Sequence, residues 1–166
     1  MLKRSQKIKW KYILTALGIN LSAILIFFWA AYVFWDINPL SIENIAAFRT
    51  RNAPYFYTLN QLPTFIVYAL FREVLFEEAW ARGPAWLLIN SKIKHRTKLS
   101  YAAIVILGAI WAKTHVLFWP VFAVGIIWGT VLIKTKSLWS AIVCHASANL
   151  FLYICIKFLQ YFQFIY

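Results

Sequence analysis

Five ionisable side chains lie within one hydrophobic stretch of this 166-residue chain. They are Arg72, Glu73, Glu77, Glu78 and Arg82. Only five carboxylates occur in the whole chain, which is 63% hydrophobic, and three of them are in this stretch. A charge at mid-bilayer costs roughly 2.5–3.5 kcal/mol, so five would cost on the order of 12–17 kcal/mol before pairing. A cost of that size indicates a functional site.

The spacing of these residues divides them between two roles. Glu78 and Arg82 are one helical turn apart and are expected to form an ion pair. Glu73 and Glu77 have the same spacing, so their carboxylates share one face of the helix. Glu77 and Glu78 point about 100° apart around the helix axis, which favours Glu77 facing a cavity while Arg82 holds Glu78. A purely structural ion-pair cluster that joins helices is the alternative.

Two later apolar segments contribute further polar side chains. Trp111 and His115 are one turn apart in the first of them, with Lys113 between them. His145 and Asn149 have the same i,i+4 spacing in the second. Each pair alone is a weak signal, because a single histidine in an apolar helix is more often structural than catalytic.

Depth in the membrane relates these pairs to the charged stretch. Counting at 1.5 Å per residue from the predicted cytoplasmic ends places Glu77 about 20 Å deep and His115 about 24 Å deep. Asn149, at about 16 Å, belongs to the same layer, and His145, at about 10 Å, lies one turn nearer the cytoplasm. Side chains from three helices are therefore expected to converge.

The chemistry that this set of side chains favours is attack by an activated water. No serine or cysteine is well placed as a nucleophile. A carboxylate shielded from bulk water is a candidate general base near neutral pH, and a histidine bonded to the same water would position it. A second histidine and an asparagine would supply donors for a developing oxyanion. This combination fits hydrolysis of an amide inside a membrane.

Composition identifies the chain as an integral membrane protein, since only 13% of its residues are charged and its mean hydropathy is +0.67. We predict an all-α, polytopic transmembrane helix bundle that forms a single domain over residues 1–166. It has about five spans and room for a short interfacial helix in the segment 35–61. The predicted spans are 12–34, 62–90, 99–118, 121–133 and 138–158.

The basic residues indicate the orientation of these spans. The N-terminus and the loops 91–98 and 134–136 carry five, four and two Lys or Arg residues, which places all three in the cytoplasm. The net charge of +12 is explained by this clustering and by contact with anionic lipid, so no nucleic-acid partner is expected. Trp119-Pro120 is predicted to form a tight turn, and Gly125 with Gly129 makes a G-x-x-x-G pattern typical of close helix packing.

Taken in order, three motifs resemble the CAAX-protease and bacteriocin-processing (CPBP or Abi) family of glutamic intramembrane proteases. Glu77 to Arg82 reads E-E-x-x-x-R, Trp111 to His115 reads aromatic-x-x-x-H, and His145 to Asn149 reads H-x-x-x-N. The resemblance covers about 62–155 and leaves 12–34 as an additional N-terminal span. The chain resembles a small bacterial member of the family, which implies that the protein lies in a bacterial inner membrane.

The resemblance implies a role for each residue. Glu77 would activate the water with help from His115. His145 and Asn149 would stabilise the oxyanion, and Glu78 and Arg82 would orient the site. It implies a protease without metal or other cofactor whose substrate is a membrane-embedded or membrane-anchored protein or peptide. Family activities include cleavage behind prenylated cysteines, peptide maturation, bacteriocin self-immunity and processing of C-terminal sorting signals.

The chain departs from the family's pattern in three respects. The second motif usually begins with Phe, where this chain has Trp111. Lys113 is unusual at this depth, and either neutralises Glu73 or Glu78 or perturbs the site. Only one helix precedes the first motif, where larger members have more.

Two other functions remain open from the residues. One is a non-enzymatic membrane factor, such as an immunity or partner protein, that uses the motif helices for packing. The other is a metal-dependent protease with zinc held by Glu77, His115 and His145, although asparagine is a poor zinc ligand.

Overall fold

The structure, a computed structural model, describes residues 10–35, 65–115 and 118–163. In these residues the chain forms six α-helices and one π-helical segment and no β-strand, so the all-α prediction is confirmed. The interfacial helix predicted within 35–61 lies outside the described residues. The helices are α1 Trp10–Trp35, the π-helical segment Phe65–Glu73, α2 Val74–Ala81, α3 Gly83–Asn90, α4 Arg96–Lys113, α5 Phe118–Thr135 and α6 Leu138–Gln163.

The prediction of one continuous helix over 62–90 is wrong. The backbone leaves helical geometry at Arg82 (φ −122°, ψ −15°), and Pro84 stands in the first turn of α3. Proline has no N–H, and its ring collides with the carbonyl four residues earlier, so a helix can begin at Pro84 but cannot run through it unbroken. The dipeptide Gly83-Pro84 is the signal for this break. The π-helical segment, a form that frequently occurs at functional sites, ends one turn before Glu77.

The boundary between α4 and α5 also differs from the prediction. The third predicted helix, 99–118, ends at Lys113. Trp119 and Pro120 do not form a tight turn but lie in the first turn of α5, which has 18 residues where the sequence predicted 13. Proline is tolerated there because the N–H groups of a first turn have no partner within the helix.

Helix α5 is central to the packing, since it contacts α1, α3, α4 and α6. Helix α2 packs against α6 and α4. The G-x-x-x-G pattern lies where α5 meets α4: Gly125 faces the Trp111 ring, and Gly129 faces Ile104. The close packing predicted from these two glycines is confirmed.

Polar and apolar side chains are distributed in the way expected of a protein in lipid. Glu78, Arg82 and His145 are buried, whereas many large apolar side chains are exposed. Within the described residues, α5 is the one helix both long enough and apolar enough to cross a bilayer, with a mean hydropathy of 1.5 over its 18 residues. The arrangement of about five spans stays a prediction.

Two of the basic loops lie at the same end of the fold. The Asn90 side chain, at the end of α3, donates a hydrogen bond to the carbonyl oxygen of Lys136 at 3.3 Å. This contact joins the start of the 91–98 loop to the turn between α5 and α6. A shared side is what the positive-inside rule requires of two cytoplasmic loops.

The contact between Gly129 and Ile104 leads to a stability prediction. A Cβ at residue 129 would lie 2.5 Å from Ile104 Cγ2, so Ile104, which is buried, would have to shift. We expect Gly129→Ala to lower the free energy of unfolding by about 1–3 kcal/mol, the usual cost of overpacking, as measured by thermal unfolding in detergent.

Gly18→Ala is the matched control, because a Cβ at Gly18 in α1 meets no atom within 4 Å. Alanine is the better helix former, so this variant should be neutral or slightly more stable than the parent. Equal destabilisation by the two substitutions would contradict the packing described here.

Candidate active site

The centre of the site is a buried ion pair on α2. Arg82 Nη1 donates to Glu78 Oε1 at 2.7 Å, and the two side chains are 2% and 0% exposed. The i,i+4 spacing predicted this pair, and it is present. The same carboxylate oxygen lies 2.9 Å from His145 Nδ1 on α6. Glu78 therefore joins two helices that are far apart in sequence.

His145 faces both neighbouring carboxylates. With Nδ1 held by Glu78, its Nε2 is directed to Glu77 Oε2 at 3.7 Å. In the ring that carries its proton on Nδ1, Nε2 accepts a proton, and in the doubly protonated ring it donates. The bond to Glu78 thus fixes the orientation of the nitrogen that faces Glu77.

Glu77 is held at only one of its two carboxylate oxygens. Its Oε2 accepts a hydrogen bond from Trp111 Nε1 on α4 at 2.7 Å. Among the described residues, Oε1 takes part in no hydrogen bond. The side chain is 25% exposed, unlike the fully buried Glu78. Glu77 is therefore partly accessible, whereas Glu78 is not; that Glu77 faces a cavity stays a prediction.

Aromatic rings enclose this group of charges. The Arg82 guanidinium lies 4.2 Å from the Trp111 ring centroid and 5.3 Å from that of Trp128. The Trp128 ring stacks on the His145 ring at 4.4 Å. Such contacts stabilise a desolvated cation. A Cβ at Gly125 would come within 2.9 Å of Arg82 Nη2 and 3.1 Å of the Trp111 ring, so a residue without a side chain is needed there.

The sequence analysis expected His115 to lie on the third helix. In the structure it lies just beyond the end of α4. Its Nδ1 is 3.0 Å from the Trp111 carbonyl oxygen and 3.2 Å from Thr114 Oγ1. Its ring packs edge-on against the Trp111 ring at 4.8 Å. No hydrogen bond links it to Glu77 within the part of the chain that the structure describes. Both residues contact Trp111 instead. His115 contacts its backbone carbonyl oxygen and its ring, and Glu77 accepts a hydrogen bond from its indole N–H.

Asn149 is half-buried on α6, one turn beyond His145. The described residues include no hydrogen-bond partner for its carboxamide. Of the six residues singled out from the sequence, the structure thus brings four into one contact network and leaves His115 and Asn149 at its edge. The four are Glu77, Glu78, Arg82 and His145.

Lys113 and Glu73 lie outside this network. Lys113 is exposed, and it forms no ion pair with any acid among residues 65–115 and 118–163. Glu78 is held by Arg82 and His145, so a lysine is not needed to neutralise it. Glu73 is half-buried, one turn before Glu77 at the end of the π-helical segment.

In the described parts of the chain, no three His, Cys, Asp or Glu side chains are placed so that they could hold a metal ion.

Three residues of the site were not identified as site residues by the sequence analysis: Trp111, Trp128 and Gly125. Only Trp111 had a signal, its i,i+4 spacing from His115.

Comparison with known proteins gives one match. A family model described as type II CAAX prenyl endopeptidase Rce1-like matches residues 58–151, more than half of the chain. The matched range includes every candidate site residue and leaves out α1. No curated protein and no solved structure shows significant similarity to the chain.

Proposed function

This chain belongs to the Rce1-like family of type II CAAX prenyl endopeptidases, and we propose that it is an intramembrane endopeptidase in which Glu77 activates the attacking water. Membership of this family makes the chain a membrane-embedded protease and agrees with the resemblance of its three motifs. The proposal adds which residues carry out the hydrolysis and how they do so.

One observation carries the proposal: Glu77 has one carboxylate oxygen fixed and the other unoccupied. Oε2 is held by the Trp111 N–H at 2.7 Å, whereas Oε1 has no partner among the described residues. A general base needs this arrangement, because the oxygen that receives the proton must be available while its direction is set. Glu78 also has one oxygen, Oε2, without a partner among the described residues, but the side chain is 0% exposed, so that oxygen does not face solvent.

The proposed reaction has two steps. Water attacks the peptide carbonyl carbon and gives a proton to Glu77 Oε1, and a tetrahedral oxyanion forms. The carbon–nitrogen bond then breaks as Glu77 returns that proton to the leaving amine. The catalyst ends unchanged, and the products are a carboxylic acid and an amine.

His145, in its doubly protonated form, and Asn149 are proposed to donate to the oxyanion, where preorganised donors contribute most to the rate. His145 Nε2 faces the Glu77 carboxylate, and Asn149 follows one turn later on α6. His115 is proposed to help orient the water, since it shares the Trp111 contact with Glu77. Glu78 and Arg82 are proposed to hold the imidazole in place.

The proposed substrate is a membrane-embedded or membrane-anchored protein or peptide, such as a C-terminal anchor, a sorting signal or a small peptide. We propose a single domain of about five spans in a bacterial inner membrane, with the N-terminus in the cytoplasm. The apolar exterior and the shared end of two basic loops support this arrangement.

A cleavage assay tests the proposal. The purified protein in proteoliposomes is given a fluorogenic peptide that ends in a CAAX sequence, in farnesylated and unmodified forms, and a peptide with a transmembrane anchor. We expect cleavage of a membrane-associated peptide that persists in phenanthroline, because no metal takes part in the proposed step.

Two results would contradict this expectation. Loss of cleavage in phenanthroline, restored by added zinc, would replace the glutamate mechanism with a metal-dependent one. A folded protein that cleaves none of the three peptides and no candidate anchored substrate from its own gene neighbourhood would favour a non-enzymatic membrane factor.

A further inference from the structure

Trp111 contacts more of the site than any other described side chain. It is 2% exposed and lies on the last turn of α4, between α2 and α5. Its ring packs against Arg82 at 4.2 Å, His115 at 4.8 Å and His145 at 5.6 Å. A large buried ring explains these contacts by packing alone, and any aromatic residue of similar size would make most of them.

The indole N–H has a separate function. Nε1 donates to Glu77 Oε2 at 2.7 Å, within the usual range for an N–H···O hydrogen bond. This is the one hydrogen bond of the Glu77 side chain among the described residues. Without it, rotation about the terminal side-chain bond of Glu77 would not be restricted by any hydrogen-bond donor.

Trp128 provides a contrast inside the same site. It is also buried, at 3% exposed, and its ring also packs on Arg82 and His145. Its Nε1, however, has no hydrogen-bond partner among the residues that the structure describes. Comparing substitutions at the two tryptophans therefore separates the contribution of a buried ring from the contribution of a hydrogen-bonded N–H.

We propose that Trp111 is a positioning residue whose N–H fixes Glu77 Oε2, so that Oε1 is directed to the water that becomes the nucleophile. The inference depends on the proposed function, because it assigns a partner to the base of that reaction. Through this N–H, Trp111 also links the second motif, to which it and His115 belong, to Glu77 of the first motif.

A role in positioning the base has a kinetic signature. The N–H touches the catalytic carboxylate and not the substrate, so its loss should lower kcat and leave KM within about twofold of the parent value. A hydrogen bond to a charged group contributes about 1.5–3 kcal/mol, which corresponds to a roughly 10- to 160-fold loss in kcat.

The experiment compares Trp111→Phe with Trp128→Phe in the proteoliposome cleavage assay. Both substitutions remove an indole N–H and retain a ring, but only the first removes a hydrogen bond. We expect the loss in kcat for Trp111→Phe to exceed that for Trp128→Phe by at least about tenfold. Equal losses, or a loss at residue 111 that appears in KM, would overturn the inference.

A second variant covers the case in which phenylalanine at residue 111 disturbs folding. Benzothienylalanine replaces the indole N–H with sulfur and keeps the shape of the ring, so it removes the donor alone. We expect it to reproduce the loss in kcat, and full activity with this residue would overturn the inference. The inference fails separately from the proposed function if Glu77→Gln is inactive while both Trp111 variants remain active. Activity of Glu77→Gln would instead remove the function on which the inference depends.

Discussion

Arg82→Leu is expected to cause the largest loss of stability of any single substitution considered for this chain. The substitution would leave the Glu78 carboxylate, which is 0% exposed, without the guanidinium that lies 2.7 Å from it. Removing one partner of a buried ion pair typically costs about 3–5 kcal/mol, because the remaining charge stays desolvated. Since whole proteins are stable by only about 5–15 kcal/mol, we expect a sharp fall in the fraction of protein that is monodisperse after detergent extraction.

Two variants control this result. Arg72→Leu makes the same chemical change at an exposed position and should cost less than about 1 kcal/mol. The double variant Glu78→Leu/Arg82→Leu removes both charges and should be more stable than Arg82→Leu alone, because no unpaired charge remains. If Arg82→Leu unfolds at the same denaturant concentration as the parent protein, the buried pair does not have the role given to it here.

Patterns within a helix were predictable from the sequence. The i,i+4 spacing of Glu78 and Arg82 predicted their ion pair, and the paired glycines of α5 predicted close helix packing, which the structure places against α4. Helical geometry fixes which side chains share a face, whatever the neighbouring helices do. The all-α class followed equally from composition and hydrophobic length.

Contacts between helices were less predictable. Depth counting placed Glu77, His115 and Asn149 in one layer, whereas the structure directs His145 to Glu77. The counting assumed unbroken helices, but the chain breaks at Arg82, and α4 ends at Lys113 before reaching His115. A shift of a few residues at each helix end rotates and translates a side chain enough to change its partner.

The hydrogen bond from Trp111 to Glu77 could not have been inferred from spacing. The two residues are 34 positions apart on different helices, and a tryptophan in an apolar helix is most simply a packing residue. Besides its i,i+4 spacing from His115, this position is singled out in the sequence by Trp111 standing where the second motif usually has Phe. The role of this tryptophan depends on which atom of α2 its indole N–H contacts, and that contact is visible only in the folded structure.

Glu77→Gln is expected to lower the rate of peptide cleavage by at least about 10³-fold, within the range for loss of a general acid–base group. Glutamine has the shape of glutamate, and its side-chain oxygen can still accept the Trp111 N–H. Insertion and folding should therefore be preserved, as checked by extraction and thermal unfolding. What the variant lacks is an oxygen basic enough to take the proton from water.

Glu73→Gln is the matched control, because Glu73 is half-buried on the same face, one turn before Glu77. The decisive measurement is the single-turnover cleavage rate of the parent, Glu77→Gln and Glu73→Gln proteins on one membrane-anchored peptide in the same proteoliposomes. We predict that Glu77→Gln is inactive and that Glu73→Gln stays within about tenfold of the parent. Cleavage by Glu77→Gln at a rate close to the parent's would contradict the assignment of Glu77 as the base.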